Sequence, residues 1–288
     1  MIRLEANAKI NLGLDVLRKR PDGYHEVKMI MQSITLHDEL ELEESAESGI
    51  HLTCDRVTVP TDETNLICKA AALLLQEREI DRGVNIHLTK RIPMAAGIAG
   101  GSTDAAAAMK GINELFQLGF SLEELKERAV RIGADVPYCL MGGTALSEGI
   151  GEILTPLPEI PDCHILIARP DLEVSTAFVY GNLKVAELTE HPDIDGMIKS
   201  LEGQSLEGIA ARLGNVLETV TVQAHPIISK LKEEMVRSGA MGALMSGSGP
   251  TVFGIFNTLE QAESAYHKML EGRSAGTVCL TRPAQNRS

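Results

Sequence analysis

The sequence predicts a mixed α+β fold in two domains, and three observations carry that reading. The N-terminal third is dominated by short alternating runs that fit strands. The C-terminal half mixes helical and strand patterns, and a proline-rich stretch at 156–161 lies between the two regions. The 288 residues are enough for one large or two ordinary domains. The boundary is placed so that residues 1–156 form the first domain and residues 157–288 the second.

Residues 2–7 and 8–16 read as two short strands, followed by a turn at Pro21, Asp22 and Gly23. Residues 27–36, 39–43 and 50–54 read as further strands, and 65–77 as an apolar helix with Asn65 as a candidate N-cap. Residues 84–89 alternate as a strand and lead through Lys90, Arg91 and Ile92 into a glycine-rich loop. A helix follows, with Ser102 as its expected N-cap and Asp104 in its first turn. Ala105, Ala108, Met109, Ile112 and Leu115 recur on one face of it. Ser121 and Glu124 form a capping box before a helix that carries Leu122, Leu125, Ala129 and Ile132 on one face and ends at Gly133. Residues 164–168 read as a buried strand and 206–222 as a helix. Pro226 stands at the start of another helix that runs to Gly239. A second glycine-rich loop, 245–251, precedes a strand at 252–256. Thr258 and Gln261 form a capping box for a helix to about Leu270, and the polar tail after Leu280 is expected to fray.

Composition narrows the function classes. There are 27 Lys and Arg against 40 Asp and Glu, a net charge of −13, which argues against nucleic acid as the main partner. Local basic clusters at Lys9, at Arg18, Lys19 and Arg20, and at Lys90 and Arg91 keep an anionic small substrate open. The cluster at 18–20 reads equally as a solvated hairpin tip. No run approaches the ~20 apolar residues of a membrane span, and the N-terminus has an early acid and no apolar leader core, so neither a membrane nor a secretory signal is expected. Cys54, Cys68, Cys139, Cys163 and Cys279 are dispersed without a C-x-x-C pair, which fits thiols in a reducing cytoplasm rather than disulfides or a zinc site. Aromatic residues make up 3% of the chain and tryptophan is absent, so an aliphatic core is expected.

The run Pro93, Met94, Ala95, Ala96, Gly97, Ile98, Ala99, Gly100, Gly101, Ser102, Thr103 carries the strongest chemical signal. Glycines let backbone N–H groups approach an anion closely, and a helix start adds unpaired donors and partial positive charge. Together these make a phosphate cradle and point to a nucleoside triphosphate. Close packing is the other reading of the same residues. The run is neither a Walker A loop nor a G-x-G-x-x-G fingerprint.

Three motifs stand in order along the chain: Ala8-Lys9-Ile10-Asn11-Leu12, residues 93–106, and Ser246-Gly247-Ser248-Gly249-Pro250-Thr251. In that order they resemble the signature motifs of the GHMP kinase superfamily (galactokinase, homoserine kinase, mevalonate kinase, phosphomevalonate kinase), over nearly the whole chain. Arg20 to Glu26, with the run Asp22-Gly23-Tyr24-His25, and Gly133-Ala134-Asp135-Val136-Pro137 are similar to the diphosphocytidyl-methylerythritol kinase branch. The resemblance implies a two-domain GHMP fold. Its N-terminal ATP-binding domain would be ribosomal-S5-like with a left-handed β-α-β crossover, and its C-terminal domain a ferredoxin-like α/β unit. It implies ATP-dependent phosphorylation of the 2-hydroxyl of a cytidylyl substrate in the non-mevalonate isoprenoid pathway, by a monomer or homodimer, with Mg²⁺ expected and no protein ligand assigned to it.

The residue roles are implied in the same way. Asp135 would accept the hydroxyl proton and Lys9 would act as its electrostatic partner. ATP would be held by Asn65, Lys90 and the loop Pro93, Met94, Ala95, Ala96, Gly97, Ile98, Ala99, Gly100, Gly101, Ser102 and Thr103. The substrate would be held by Asn11, Tyr24, His25, Thr176, Tyr180, Gly247 and Ser248, with Phe178 competing with Tyr180 to stack on the cytosine. Taken singly, Lys9 also reads as a solvated strand lysine, Asp135 as a turn carboxylate, Asn65 as a helix cap, and the second glycine loop as a tight packing turn. Asn7, Ala99 and Thr103 depart from the common Pro, Gly and Ser of the family. Kinases for another alcohol, mevalonate or homoserine, and an inactive nucleotide-binding member of the fold are the alternatives.

Overall fold

Apolar residues occupy every even position from Ile2 to Val16, one face of a single strand with no interruption at 7–8. A computed structural model describes residues 1–285 and shows that strand whole, as β1 (Ile2–Lys19). The two strands expected at 27–36 and 39–43 are likewise one, β2 (His25–Ser45). There the apolar phase shifts from Val27, Met29 and Met31 to Ile34, Leu36, Leu40 and Leu42, which made one strand read as two.

The remaining elements are β3 (Ile50–Cys54), α1 (Leu66–Glu77), β4 (Gly83–Thr89), α2 (Gly100–Leu115), α3 (Leu122–Ala129), α4 (Val136–Met141), β5 (Thr144–Gly149), β6 (Ile153–Pro156), β7 (His164–Arg169), α5 (Thr176–Asn182), α6 (Ile194–Glu202), α7 (Leu206–Ala210), β8 (Gly214–Asn215), α8 (Glu218–Ala224), α9 (Ile227–Arg237), β9 (Gly242–Met245), β10 (Val252–Phe256), α10 (Leu259–Gly272) and β11 (Thr277–Thr281). The expected helix at 206–222 is α7 and α8 separated by β8. Gly214 and Asn215 leave the helical path and pair instead with Gly13 and Leu14 of β1. Ser102 is not a cap: α2 starts at Gly100 after Ala99, which takes a left-handed φ of 61°, so Asp104 lies beyond the first turn. Leu122 is exposed at 43% rather than buried with Leu125 and Ala129, and Ile132 lies past the end of α3. The tail does not fray over 282–284. The Thr35 N–H donates to the Arg282 carbonyl and the Ala284 N–H to the Ser33 carbonyl, each at 2.8 Å. Residues 286–288 lie outside the described residues.

The chain divides into two compact units. The first comprises Met1–Ala8, Leu36–Met94 and Ala99–Met141; the second comprises Lys9–Thr35, Ala95–Ile98 and Gly142–Ser288. In the first, β4 pairs antiparallel with the second half of β2 and parallel with β3. Helices α1 to α4 close an aliphatic core of Leu40, Leu42, Ile67, Leu74, Ile86, Met109 and Ile112. Asn65 caps α1, its Oδ1 accepting from the Ile67 N–H at 2.9 Å, and the expected capping box opens α3. Gly111 lets α2 approach β2: a Cβ there would lie 2.8 Å from Leu42 Cδ1.

In the second unit, β5 pairs with the first half of β2 and forms a hairpin with β6. A four-stranded antiparallel sheet of order β11-β7-β10-β9 carries α9 and α10, the ferredoxin-like make-up expected of the C-terminal part. β10 is buried at every position. Among the described residues no helix is long and apolar enough to cross a membrane.

Leu42 is fully buried beneath Gly111. Leu42→Ala is expected to lower the unfolding free energy by about 2–5 kcal/mol. Chemical denaturation measures this, and a loss well below that range would show that the site collapses around the cavity.

Candidate active site

The odd-numbered face of β1 is the unusual one. Its residues Lys9, Asn11 and Asp15 are polar, yet they are 4%, 0% and 6% exposed. Burial of such groups is costly unless they are hydrogen-bonded. Lys9 Nζ donates to Asn11 Oδ1 at 2.8 Å, and Asn11 Nδ2 donates to Met29 Sδ at 3.3 Å. The Lys9 backbone N–H donates to the Ile98 carbonyl at 3.1 Å, joining β1 to the first glycine loop. Asp15 Oδ1 takes the Val16 N–H and stands 2.8 Å from His191 Nδ1.

The second glycine loop closes on the same place. Gly97 has a φ of 72°, and a Cβ on it would lie 2.5 Å from the Ser246 carbonyl oxygen. The Ser246 hydroxyl donates to the Gly97 carbonyl at 3.0 Å. A Cβ on Gly247 would lie 2.9 Å from the Gly97 oxygen and 3.6 Å from Asn11 Oδ1. The three motifs that are far apart in sequence therefore meet within the second unit, at Lys9 and Asn11, Gly97 and Ile98, Ser246 and Gly247. The loop is braced further out: Ser248 Oγ lies 2.9 Å from Thr176 Oγ1, and the Thr221 hydroxyl donates to the Ser248 carbonyl at 3.2 Å.

Thr176 opens α5, and one turn on Tyr180 places its ring centroid 5.2 Å from that of His25, tilted by 43°. Of the two competing aromatics, Tyr180 is the one brought beside His25, while Phe178 is 47% exposed. Tyr24 is 58% exposed in the turn between β1 and β2, its N–H donating to Asp22 Oδ1. Burial, with the charge of Lys19 adding, lowers the His25 pKa and favours a neutral imidazole. Arg18 and Arg20 are paired with Glu26 and Asp22. They line a groove of about 610 Å³ with Glu148 and Glu152, so their charge is largely matched where they stand.

In the first unit, the start of α2 leaves backbone donors without helical partners. The first intrahelical bond runs from the Thr103 N–H to the Ala99 carbonyl at 2.9 Å, so the helix offers no carbonyl to the N–H groups of Gly100, Gly101 and Ser102. The Thr103 hydroxyl is tied to the Asn7 carbonyl at 2.7 Å. Gly101 lies over Leu66, the first residue of α1, and the Asn65 side chain is held by its cap bond and by Nδ2 donating to the Pro60 carbonyl. Asp135 is half-buried at the start of α4, where its carbonyl accepts the Cys139 N–H at 3.0 Å. Pro93, Met94, Ala95 and Ala96 form the approach to Gly97; Met94 is 41% exposed and Ala95 takes a positive φ of 48°.

Lys90 is held by two carboxyl groups. Its ammonium is buried beneath Gly100 and donates to Asp38 and, at 2.6 Å, to Asp104. Asp38 Oδ1 also accepts the N–H groups of Arg91 and Ile92 at 2.5 and 2.7 Å. Asp104 Oδ1 has no hydrogen-bond partner among the described residues. Burial pushes the Asp104 pKa up to about 8, against the pull of the Lys90 charge and with Asp38 adding to the rise. Sequence reasoning missed Asp38 and its pairing. Its signal was an acid on the apolar face formed by Leu36, Leu40 and Leu42. It also missed Asn215, which lay inside a stretch read as helix.

Comparison with known proteins returns one family over both parts of the chain. The family model described as GHMP kinases N terminal domain matches residues 65–143, and that described as GHMP kinases C terminal matches residues 197–273. A protein of Lachnoclostridium phytofermentans named 4-diphosphocytidyl-2-C-methyl-D-erythritol kinase is 50% identical over 282 residues, covering 98% of this chain and 97% of that protein. One of the same name from Acetivibrio thermocellus is 51% identical over 265 residues, covering 92% and 93%. The crystal structure of a 4-(cytidine 5'-diphospho)-2C-methyl-D-erythritol kinase superposes with a TM-score of 0.83 at 32% identity, covering 98% of this chain and all of that one. A homoserine kinase from Cytophaga hutchinsonii, 22% identical with a TM-score of 0.79, shares the fold.

The buried charges at Lys90 give opposite expectations for two similar substitutions. Asp38→Asn leaves the ammonium short of a carboxylate and is expected to cost about 3–5 kcal/mol. Asp104→Asn mimics the protonated acid and is expected to be tolerated. Between about pH 4 and 8 the folded Asp104 keeps a proton that the unfolded chain has lost, so its contribution to stability falls as pH rises through that window. The melting temperature of Asp104→Asn relative to the parent should therefore rise from pH 5 to pH 9. Parallel profiles would contradict this.

Proposed function

This chain belongs to the GHMP kinases, and we propose that it transfers the γ-phosphoryl group of ATP to the 2-hydroxyl of 4-diphosphocytidyl-2-C-methyl-D-erythritol. The observation that carries the reading is the meeting of the three motifs in the second unit, where Lys9, Asn11, Gly97 and Gly247 lie within hydrogen-bond or packing distance of one another. The relatives that carry this kinase name match along nearly the whole chain, which supports this substrate over mevalonate or homoserine. A catalytically inactive member of the fold is disfavoured by the presence of both Lys9 and Asp135.

Phosphoryl transfer asks mainly for positioning and for stabilisation of charge on the transferring group. Asp135 accepts the proton of the attacking hydroxyl. Lys9 polarises that hydroxyl and neutralises charge on the phosphoryl group, and Asn11 orients the ammonium through its amide oxygen. The N–H groups of Gly100, Gly101 and Ser102 cradle the ATP phosphates at the start of α2. Asn65 stands at the adenosine end, next to that start. Lys90 stands at the same base or ribose end, its ammonium held by Asp38 and Asp104. Magnesium, supplied with ATP, would neutralise charge on the phosphates; among the described residues no group of three or more His, Cys, Asp or Glu is placed to hold a metal.

Cytosine is taken between Tyr24 and Tyr180, with the neutral His25 reading its polar edge. Thr176, Gly247 and Ser248 line the remainder of the substrate. We place the ATP-binding domain at residues 1–156 and the substrate-side domain at residues 157–288, although residues 9–35, 95–98 and 142–156 group with the C-terminal part in the compact units. A cytoplasmic location fits the five cysteines, none of which forms a disulfide.

ADP release with Mg-ATP, measured against diphosphocytidyl-methylerythritol, mevalonate and homoserine in parallel, tests the assignment. Turnover is expected with the first alone, and turnover with another alcohol would overturn the substrate. Asp135→Ala should lower kcat by about 10²–10⁴-fold with ATP binding retained; near-normal turnover would remove it as the base. Tyr180→Ala should raise the KM for the cytidylyl substrate about tenfold and leave that for ATP in place. Equal changes in both would argue against the cytosine clamp.

A further inference from the structure

The strand β1 and the loop 246–251 are joined by a residue that none of the signature motifs contains. Asn215 is the second residue of the two-residue strand β8 and pairs in parallel with Leu14. Its side chain is buried, at 7% exposure, and every polar position on it is used. Nδ2 donates to the carbonyl of Met245 at 2.9 Å and to the carbonyl of Gly247 at 2.8 Å. Oδ1 accepts the Leu217 N–H at 3.0 Å, which turns the chain into α8.

This geometry is specific to an amide. Two carbonyl oxygens on either side of a loop tip need a group with two N–H bonds on one nitrogen, and the third contact needs an acceptor on the same plane. Aspartate has the same shape but would face both carbonyls with a carboxylate oxygen. The held residue, Gly247, is the one that packs on the Gly97 oxygen and near Asn11 Oδ1. Asn215 therefore bears on the substrate side of the site through the backbone of Gly247.

We propose that Asn215 is a positioning residue for phosphoryl transfer: it fixes the Gly247–Ser248 backbone against Gly97 and Asn11 so that the loop receives the cytidylyl substrate in place. The proposal rests on the function assigned above for its substrate side. Glu218 is the internal contrast. It also braces this region, with Oε1 accepting the Met245 N–H at 2.9 Å and Oε2 paired with Lys232 at 2.5 Å, but it acts on β9 below the loop tip. A merely structural role makes Asn215 and Glu218 alike, whereas a positioning role separates them.

The test uses full-length Asn215→Asp and Glu218→Gln with two readouts. The first is amide hydrogen exchange of the protein without substrate, resolved to peptides spanning 245–251. The second is the KM for diphosphocytidyl-methylerythritol and for ATP. Asn215→Asp is expected to speed exchange in that peptide at least tenfold and to raise the KM for the cytidylyl substrate about tenfold, with the KM for ATP within about twofold. Glu218→Gln is expected to move both KM values together or not at all. Where Asn215→Asp does not fold, Asn215→Ala removes the two donors without adding charge and is read the same way. Unchanged exchange overturns the proposal whatever the kinetics. Faster exchange with both KM values rising in step reduces Asn215 to a structural brace and also overturns it. A parent enzyme that binds ATP and leaves the cytidylyl substrate untouched overturns the proposed function itself, and with it the substrate side of this inference.

Discussion

A lysine ammonium sits directly beneath the first residue of a helix in the first unit, and the local structure is arranged around making that tolerable. A helix start carries partial positive charge, so Lys90 beneath Gly100 is repelled by the dipole it underlies. Asp38 from β2 supplies the compensating charge, and Asp104 from α2 adds a carboxyl acceptor for the ammonium. The three groups come from three elements, so β2, the chain after β4 and α2 have one mutual arrangement that satisfies them all. Asp38 adds the N–H groups of Arg91 and Ile92, which bends the chain out of β4 and into the glycine loop. Buried charge of this kind contributes less to net stability than to uniqueness. Here the uniqueness concerns where the N–H groups of Gly100, Gly101 and Ser102 point.

The second unit solves a different problem with backbone rather than charge. Gly97 and Gly247 approach until no side chain fits between them, and Ser246 closes the gap with a hydroxyl. Such contact brings the two loop backbones together beside Asn11, the partner of the Lys9 ammonium. The loop is not built wholly of glycine, however. Ala95 and Ala99 occupy left-handed conformations at φ of 48° and 61°, which cost an L-residue with a Cβ about 1 kcal/mol each. The neighbouring ties, from Lys9 to Ile98 and from Thr103 to Ala99, hold the backbone there.

What could be read from the sequence follows the range of the interactions concerned. Asn65 capping α1, the Ser121–Glu124 box and the apolar face of α2 depend on residues two to four apart, and they stand as read. The turn at Asp22 and Gly23 is local too, with Gly23 at φ of 90°. Strand lengths were harder: β2 keeps its direction through a phase change in its apolar residues, because its two halves meet different partners, β5 and β4. Ser102 was read as a cap because its residue type suits one, but a left-handed Ala99 starts the helix earlier. Helical propensity over 206–222 yielded to the pairing of Gly214 and Asn215 with β1. The motif residues were legible by type, while their partners were not. Asn11 under Lys9, Asp38 under Lys90 and Asn215 under Gly247 are separated from what they hold by 2, 52 and 32 positions, and only the first pairing lies within the reach of sequence pattern.

The scarcity of aromatic residues has an optical consequence. With no tryptophan, the ultraviolet emission of the protein comes from Tyr24, Tyr138, Tyr180 and Tyr266 alone. Tyr138 is sealed in the interior at 0% exposure, whereas Tyr24 adjoins His25 in sequence and Tyr180 adjoins it in space. One of the four native fluorophores therefore stands beside the His25 imidazole, unmasked by any indole, and the chain carries its own label-free reporter at the place assigned to the pyrimidine ring.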